Sequence, residues 1–159
     1  VATLDAETGS GVQPDVIGFE REDPRMAGTM EVALLWTGSR EERIVGFANS
    51  RATREGGTHV DGFRDGVAAA VIAYARERGL PAADLDPRDD RICRSLTAVV
   101  SVKLDRPEYL SATGGLLGNT EVRDCVGEAV REHLGNLFEE EPERAAQFVD
   151  RVVRCVHQD

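Results

Sequence analysis

The chain is short of lysine: among 19 basic residues 18 are arginine and one is Lys103, a bias that reflects a GC-rich genome rather than a mechanism. Basic charge as a whole is also in deficit. Twenty-nine acidic residues leave a net charge of −10, which argues against a free-standing duplex-DNA binder. Cysteine is scarce, and Cys93, Cys125 and Cys155 are odd in number with no Cys-x-x-Cys spacing. That excludes a disulfide framework and a zinc site. His59, His133 and His157 are scattered without ligand-like spacing, so no metal site is expected. No apolar run approaches the ~20 residues that a membrane span needs. No signal peptide is visible, so no membrane partner is expected and the compartment reads as cytoplasmic. A first residue of Val1 rather than Met points to processing or to excision from a longer chain.

What is present is an ordinary globular composition, 41% apolar and 30% charged over 159 residues. That length suffices for one domain around a single core. The charge is uneven. Residues 32–64 carry five arginines (Arg40, Arg43, Arg51, Arg54 and Arg64) against four acidic groups, whereas both flanks are acidic. Two readings of this segment stand side by side: a phosphate-contacting face, and a solvated, ion-paired surface.

Along the chain, residues 1–14 read as a flexible lead-in, broken by Gly-Ser-Gly and Pro14, and residues 15–159 as one domain. A short strand is expected at 15–20. The apolar runs 31–36 and 43–48 read as a β-hairpin turning at 37–42, followed by a polar loop at 49–55. A helix follows Gly56-Gly57, capped by Thr58 or Asp61, because Phe63, Val67, Val71, Tyr74 and Ala75 recur on one helical face. Gly79 supplies its stop. A single helical turn is expected at 89–95. The valine-rich run 96–104 reads as a strand buried on both faces, and 105–118 as a loop broken by Pro107 and Gly114-Gly115. Asn119 or Thr120 caps a second helix whose apolar stripe runs from Val122 to Leu137 and carries Cys125. Glu139-Glu140-Glu141-Pro142 then separates it from a final helix that begins at about 143 and carries Cys155 on its apolar side. Strands, helix, strand, helix, helix is the order of an α+β domain: a two-layer arrangement of a sheet with helices on one face.

Three segments carry more information than this pattern. They are Gly-Gly-Thr-His-Val-Asp-Gly-Phe-Arg at 56–64, Leu-Thr-Ala-Val-Val-Ser-Val-Lys at 96–103 and Leu-Gly-Asn-Thr-Glu-Val-Arg at 117–123. In this order and spacing the chain resembles the second, transducer domain of the ATPase subunit of bacterial type II topoisomerases, the DNA gyrase B and topoisomerase IV B family. The resemblance covers roughly 15–156. It implies a ribosomal-protein-S5-domain-2-like fold with a left-handed βαβ crossover, which local patterns would not predict. It also implies three partners: DNA, the ATP-binding domain of the same or another chain, and a gyrase-A-like subunit. ATP and Mg²⁺ are expected on that separate ATP-binding domain, with no cofactor in this one.

In the family, a Gln-Thr-Lys triplet follows the Val-Ser-Val-Lys strand, and its lysine contacts the γ-phosphate, where leaving negative charge wants a fixed cation. Counting back from Leu117-Gly118-Asn119, the corresponding residues here are Ala112, Thr113 and Gly114, and no basic residue lies between Arg106 and Arg123. The Arg-Glu-Gly-Leu that commonly enters the strand is Cys93-Arg94-Ser95-Leu96 here. Arg64 does match, and with Arg51 and Arg54 it is a candidate DNA-phosphate contact; the alternative is an ion pair with Asp61 or Asp65. Gly56, Gly57, Thr58, His59 and Lys103 are motif positions with a structural reading: a tight strand-to-helix turn and a strand end. A phosphate loop at Gly56-Gly57 lacks the Lys-Ser/Thr pair. Ser101 and Lys103 lack an orienting third group, so no catalytic residue is expected. Two functions follow: a transducer domain coupling ATP-driven dimerisation to DNA capture and strand passage, or a degenerate, ATPase-deficient paralogue acting as an interaction or regulatory module. A small phosphotransferase of the same fold is excluded by the missing phosphate loops.

Overall fold

The computed structural model describes residues 16–36, 43–86, 88, 90–93, 96–112 and 115–157. The lead-in at 1–14 and the turn at 37–42 fall outside these, as do Arg40, Arg94, Thr113 and Gly114. Seven strands are described: β1 (Ile17–Asp23), β2 (Gly28–Trp36), β3 (Arg43–Ala48), β4 (Arg51–Ala52), β5 (Gly56–Gly57), β6 (Leu96–Leu104) and β7 (Leu116–Leu117). The helices are α1 (Thr58–Arg78), α2 (Thr120–Glu140) and α3 (Pro142–His157), with 3-10 turns at Pro24–Met26, Pro81–Asp84 and Asp90–Cys93. The fold is mixed α+β, with a mostly antiparallel five-stranded sheet in the order β1-β2-β6-β3-β4.

That order corrects one expectation. The runs at 31–36 and 43–48 are both strands, but they do not form a hairpin. β6 lies between them, antiparallel to β2 and parallel to β3. The real hairpin of β2 is with β1, which extends to Asp23 rather than ending near 20. Its turn is set by Asp23, whose carboxylate accepts from Arg25 N at 3.0 Å, and by Ala27 in the left-handed region at φ 50. The parallel β3–β6 pair is joined through α1, a βαβ unit whose strands are direct neighbours.

The pleat divides β6 into two faces. Leu96, Ala98, Val100, Val102 and Leu104 are all buried on the side that meets the helices, beside Met30, Val32 and Leu34 of β2. On the other side burial fades along the strand: Thr97 is buried, Val99 and Ser101 half-buried, Lys103 exposed. The strand is therefore enclosed on both faces only at its start. The far face holds a small separate apolar group of Ala33 and Leu35, flanked by Val16 and Val99.

Helix α1 buries Phe63, Val67, Val71, Tyr74 and Ala75, as their spacing requires. Gly79, at φ 65, ends it by donating its N–H to Ala75 O. Helices α1 and α2 approach almost to backbone contact. A Cβ on Gly62 would lie 2.4 Å from Arg123 O, and one on Gly66 would lie 2.6 Å from Val130 Cβ and 2.7 Å from Gly127 O. Asp65 and Arg123 close this crossing with an ion pair at 2.7 Å. Helix α3 docks through aromatic rings: Tyr74 meets Phe138 edge-on at 5.4 Å, and Phe138 meets Phe148 at 5.5 Å.

Candidate functional site

The Gly-Gly-Thr-His segment and the 105–118 loop are far apart in sequence and joined in space. Two short parallel strands connect them, with Gly56 opposite Leu116 and Gly57 opposite Leu117. Glu55 N adds a bond to Gly115 O at 2.8 Å. The backbone favours glycine at both positions. Gly56 and Gly57 have φ of 89 and 143, and a Cβ on Gly57 would lie 2.6 Å from Leu117 O. The glycines serve a turn and, at Gly57, a close approach of β5 to β7.

Thr58 is the first helical residue, not the cap. Gly57 occupies the cap position and no side-chain cap bond forms. Thr58 Oγ1 is buried without a partner among the described residues. His59 Nε2 instead meets Thr53 Oγ1 at 2.9 Å, both side chains being buried. This pair rests on Gly46 of β3, where a Cβ would lie 2.5 Å from His59 Nε2 and 2.6 Å from Thr53 Oγ1. Burial drives the basicity of His59 down to about 4, so the ring is neutral at pH 7. His59 therefore locks the start of α1 to the β3–β4 turn, an arrangement suited to structure rather than proton transfer.

The 105–118 loop folds back on itself. Leu110 N donates to Leu116 O at 2.9 Å and Gly118 N to Glu108 O at 2.7 Å. Asn119 holds its base: the side chain accepts from Glu108 N at 2.7 Å and donates to Arg106 O at 3.0 Å. Asn119 does stand at the N-cap position of α2, but its side chain makes no cap bond to the helix backbone; besides this loop it donates to the Glu121 carboxylate at 3.3 Å. Asn49 performs a similar task at the end of β6, exchanging two bonds with the Leu104 backbone at 2.7 and 3.1 Å. Sequence reading missed Thr53, Asn49 and Glu55. The only local signal was Asn49-Ser50, a dipeptide suited to the positive φ values of 51 and 68 found there.

At the tip, Ala112 is exposed. Close to the loop, Glu55 Oε2 would lie 3.0 Å from a Cβ on Gly115. The described part of the tip thus presents no cation, and a carboxylate stands beside it.

Arg43 starts β3, whereas Arg51 pairs with Ala48 at its other end, about 17 Å away at the usual strand rise. Arg51 and Arg54 are exposed on the β4 turn. Arg64 lies 3.8 Å from Asp61, while Asp65 is taken by Arg123. Lys103 and Ser101 line a shallow groove on the open sheet face with Glu20, Glu22, Thr29 and Glu31, and no histidine joins them there. Cys125 is buried and its thiol is pushed up to about 11, chiefly by burial and then by the Asp23 carboxylate. Among the described residues no helix is long and apolar enough to cross a membrane.

The fold is similar to that of solved type II topoisomerase structures. The chain superimposes on the 43K ATPase domain of Thermus thermophilus gyrase B with a TM-score of 0.78 at 28% identity, covering 96% of this chain and 42% of that one. It superimposes equally well on the topoisomerase IV ATP-binding domain of Francisella tularensis (TM-score 0.78, 24% identity, 97% and 41% covered). In sequence it is 37% identical to the DNA gyrase B protein of Streptomyces coelicolor over 99% of its length, and 39% identical to that of Micrococcus luteus over 92%. The DNA gyrase B family model matches residues 2–159, so the chain belongs to that family. It spans 23% and 21% of the length of those two relatives.

Proposed function

We propose that the chain is the transducer domain of a gyrase-B-like type II topoisomerase, spanning 15–159, with an S5-domain-2-like fold and a left-handed β3–α1–β6 crossover. The observation that carries this is the fit to part of a gyrase B ATPase domain, covering nearly all of this chain and 42% of that one. On this reading the remaining part binds ATP and Mg²⁺, and this domain passes the resulting dimerisation on to DNA capture and strand passage. A gyrase-A-like subunit completes the cytoplasmic assembly. Arg51, Arg54 and Arg64 are its candidate DNA contacts, and Lys103 and the Gly56–His59 turn are structural.

A second reading, a degenerate and ATPase-deficient paralogue, is favoured by one observation. The exposed tip residue Ala112 replaces the family glutamine, Gly114 replaces its lysine, and Glu55 stands beside Gly115. Without a cation in this loop, the charge that develops on a leaving γ-phosphate would lack the stabilisation a lysine supplies. The experiment is ATP hydrolysis by the full-length polypeptide, with and without Ala112→Gln plus Gly114→Lys. Near-zero wild-type turnover that rises tenfold or more in the double variant supports a transducer silenced at this loop. Robust wild-type turnover overturns the degenerate reading and leaves the active transducer.

A further inference from the structure

The crossing of α1 and α2 brings two arginines and three aspartates together: Asp61, Arg64 and Asp65 from α1, Arg123 and Asp124 from α2. The helix backbones nearly touch here, since a Cβ on Gly62 would lie 2.4 Å from Arg123 O, so these charges keep fixed neighbouring positions. The two arginines are held differently. Arg123 donates to both oxygens of Asp65, at 2.7 and 3.2 Å. Its charge is favoured first by those bonds and, further off, by the carboxylates of Asp61 and Asp124. The contact of Arg64 with Asp61 is longer, 3.8 Å, with 40% and 48% of the two side chains exposed. A bidentate, charge-assisted pair is committed. A long, solvated pair is exchangeable, and contributes at most about a fivefold factor to an equilibrium.

We infer that Asp61 is a built-in competitor for DNA phosphate at Arg64. It holds the guanidinium when no duplex is present, and a phosphodiester must displace it. The inference rests on the reading of Arg64 as a DNA contact and adds the regulation of that contact. The ion pair and the phosphate contact are then two states of one side chain. Arg123, committed to Asp65 and to the helix crossing, takes no part. Each duplex that reaches Arg64 gives up the Asp61 pair, and the displaced carboxylate stands beside the phosphate as a like charge. The affinity is thereby attenuated, which suits a duplex that is passed on rather than retained.

The test is binding of a short labelled DNA duplex to the full-length polypeptide across a salt series, with Asp61→Asn, Arg64→Ala and the double variant. Asp150→Asn serves as control, because Asp150 is an equally exposed helical carboxylate, paired with Arg154 at 3.0 Å on α3. Asp61→Asn is expected to tighten binding about two- to fivefold at low salt, and Asp150→Asn to change it less than about 1.5-fold. Arg64→Ala should weaken binding and lower the salt slope by about one, and should abolish the gain from Asp61→Asn. A gain that survives in the double variant, or that Asp150→Asn matches, is a general charge effect and overturns the inference. So does the absence of a gain while Arg64→Ala still weakens binding, a result that leaves the DNA-contact reading standing. Unchanged affinity and salt slope in Arg64→Ala overturns that reading itself, and the inference with it.

Discussion

Thr53 Oγ1 and His59 Nε2 lie 2.9 Å apart in the interior, six residues apart in sequence and on opposite sides of the Gly56-Gly57 turn. The bond ties the β3–β4 hairpin to the first turn of α1. It also places a titratable ring where no charge is tolerated.

Acid should therefore weaken the fold in a defined window. The folded-state pKa of His59 is lowered to about 4, against 6.5 when unfolded. Between these values the unfolded chain holds the extra proton and the folded chain does not. Stability from this residue is thus complete above pH 6.5, falls as pH drops toward 4, and changes no further below. The loss is at most about 3 kcal/mol. Urea midpoints measured from pH 7.5 to 4 should show this slope in wild type and not in His59→Leu, whose overall stability is lower. Asp23 acts in a separate, lower window: hydrogen bonding to Arg25 holds it at about 2, so its contribution is lost only as pH falls from the ordinary carboxylate range toward 2.

The two glycines of the turn should respond differently to alanine. Gly56→Ala meets no atom within 4 Å and carries only the strain of φ 89, a cost of about 1–2 kcal/mol. Gly57→Ala adds a Cβ 2.6 Å from Leu117 O at φ 143, and should cost roughly 3 kcal/mol or more. Thermal midpoints of the two variants check the order. Equal midpoints would remove the close approach of β5 to β7.

A second pair of glycines predicts opposite signs. Gly66→Ala would drive a methyl into Val130 and the Gly127 carbonyl, costing about 2–3 kcal/mol by overpacking. Gly135→Ala, within α2 and facing open space, should stabilise by roughly 0.5–1 kcal/mol through helix propensity. Chemical denaturation of both variants gives the comparison directly.

Asn119→Ala should cost roughly 2–3 kcal/mol, because it leaves Glu108 N and Arg106 O without their buried partner. Asn119→Asp keeps the acceptor for Glu108 N and loses the donor to Arg106 O, so an intermediate loss is expected. Hydrogen exchange at 106–110 should rise in the same order. A loss shared equally by α2 amides would mean that Asn119 caps the helix after all.

The local sequence established a good deal. The apolar period placed α1, α2 and α3, Gly79 and Pro142 marked helix ends, and the valine run 96–104 marked the strand that became the sheet's centre. Strand pairing was beyond that reach. Two apolar runs joined by a six-residue turn look like a hairpin locally, yet β6 separates them, because its buried valines satisfy both neighbours at once. The same limit applies to caps: Thr58 has cap chemistry but lies one residue inside the helix with its hydroxyl buried, and Asn119 stands at the cap position with its side chain redirected to the loop.

Sequence by itself determined element types, the core faces, the family motifs and the absence of a cation between Arg106 and Arg123. The tertiary structure decided which strands are neighbours, why Gly46, Gly57 and Gly66 must lack a Cβ, and where Glu55 and Leu110 stand relative to the loop tip. The reason is one of range. Helix periodicity and turn preference are properties of a few adjacent residues, whereas sheet order and close approach depend on groups that meet only when the chain folds.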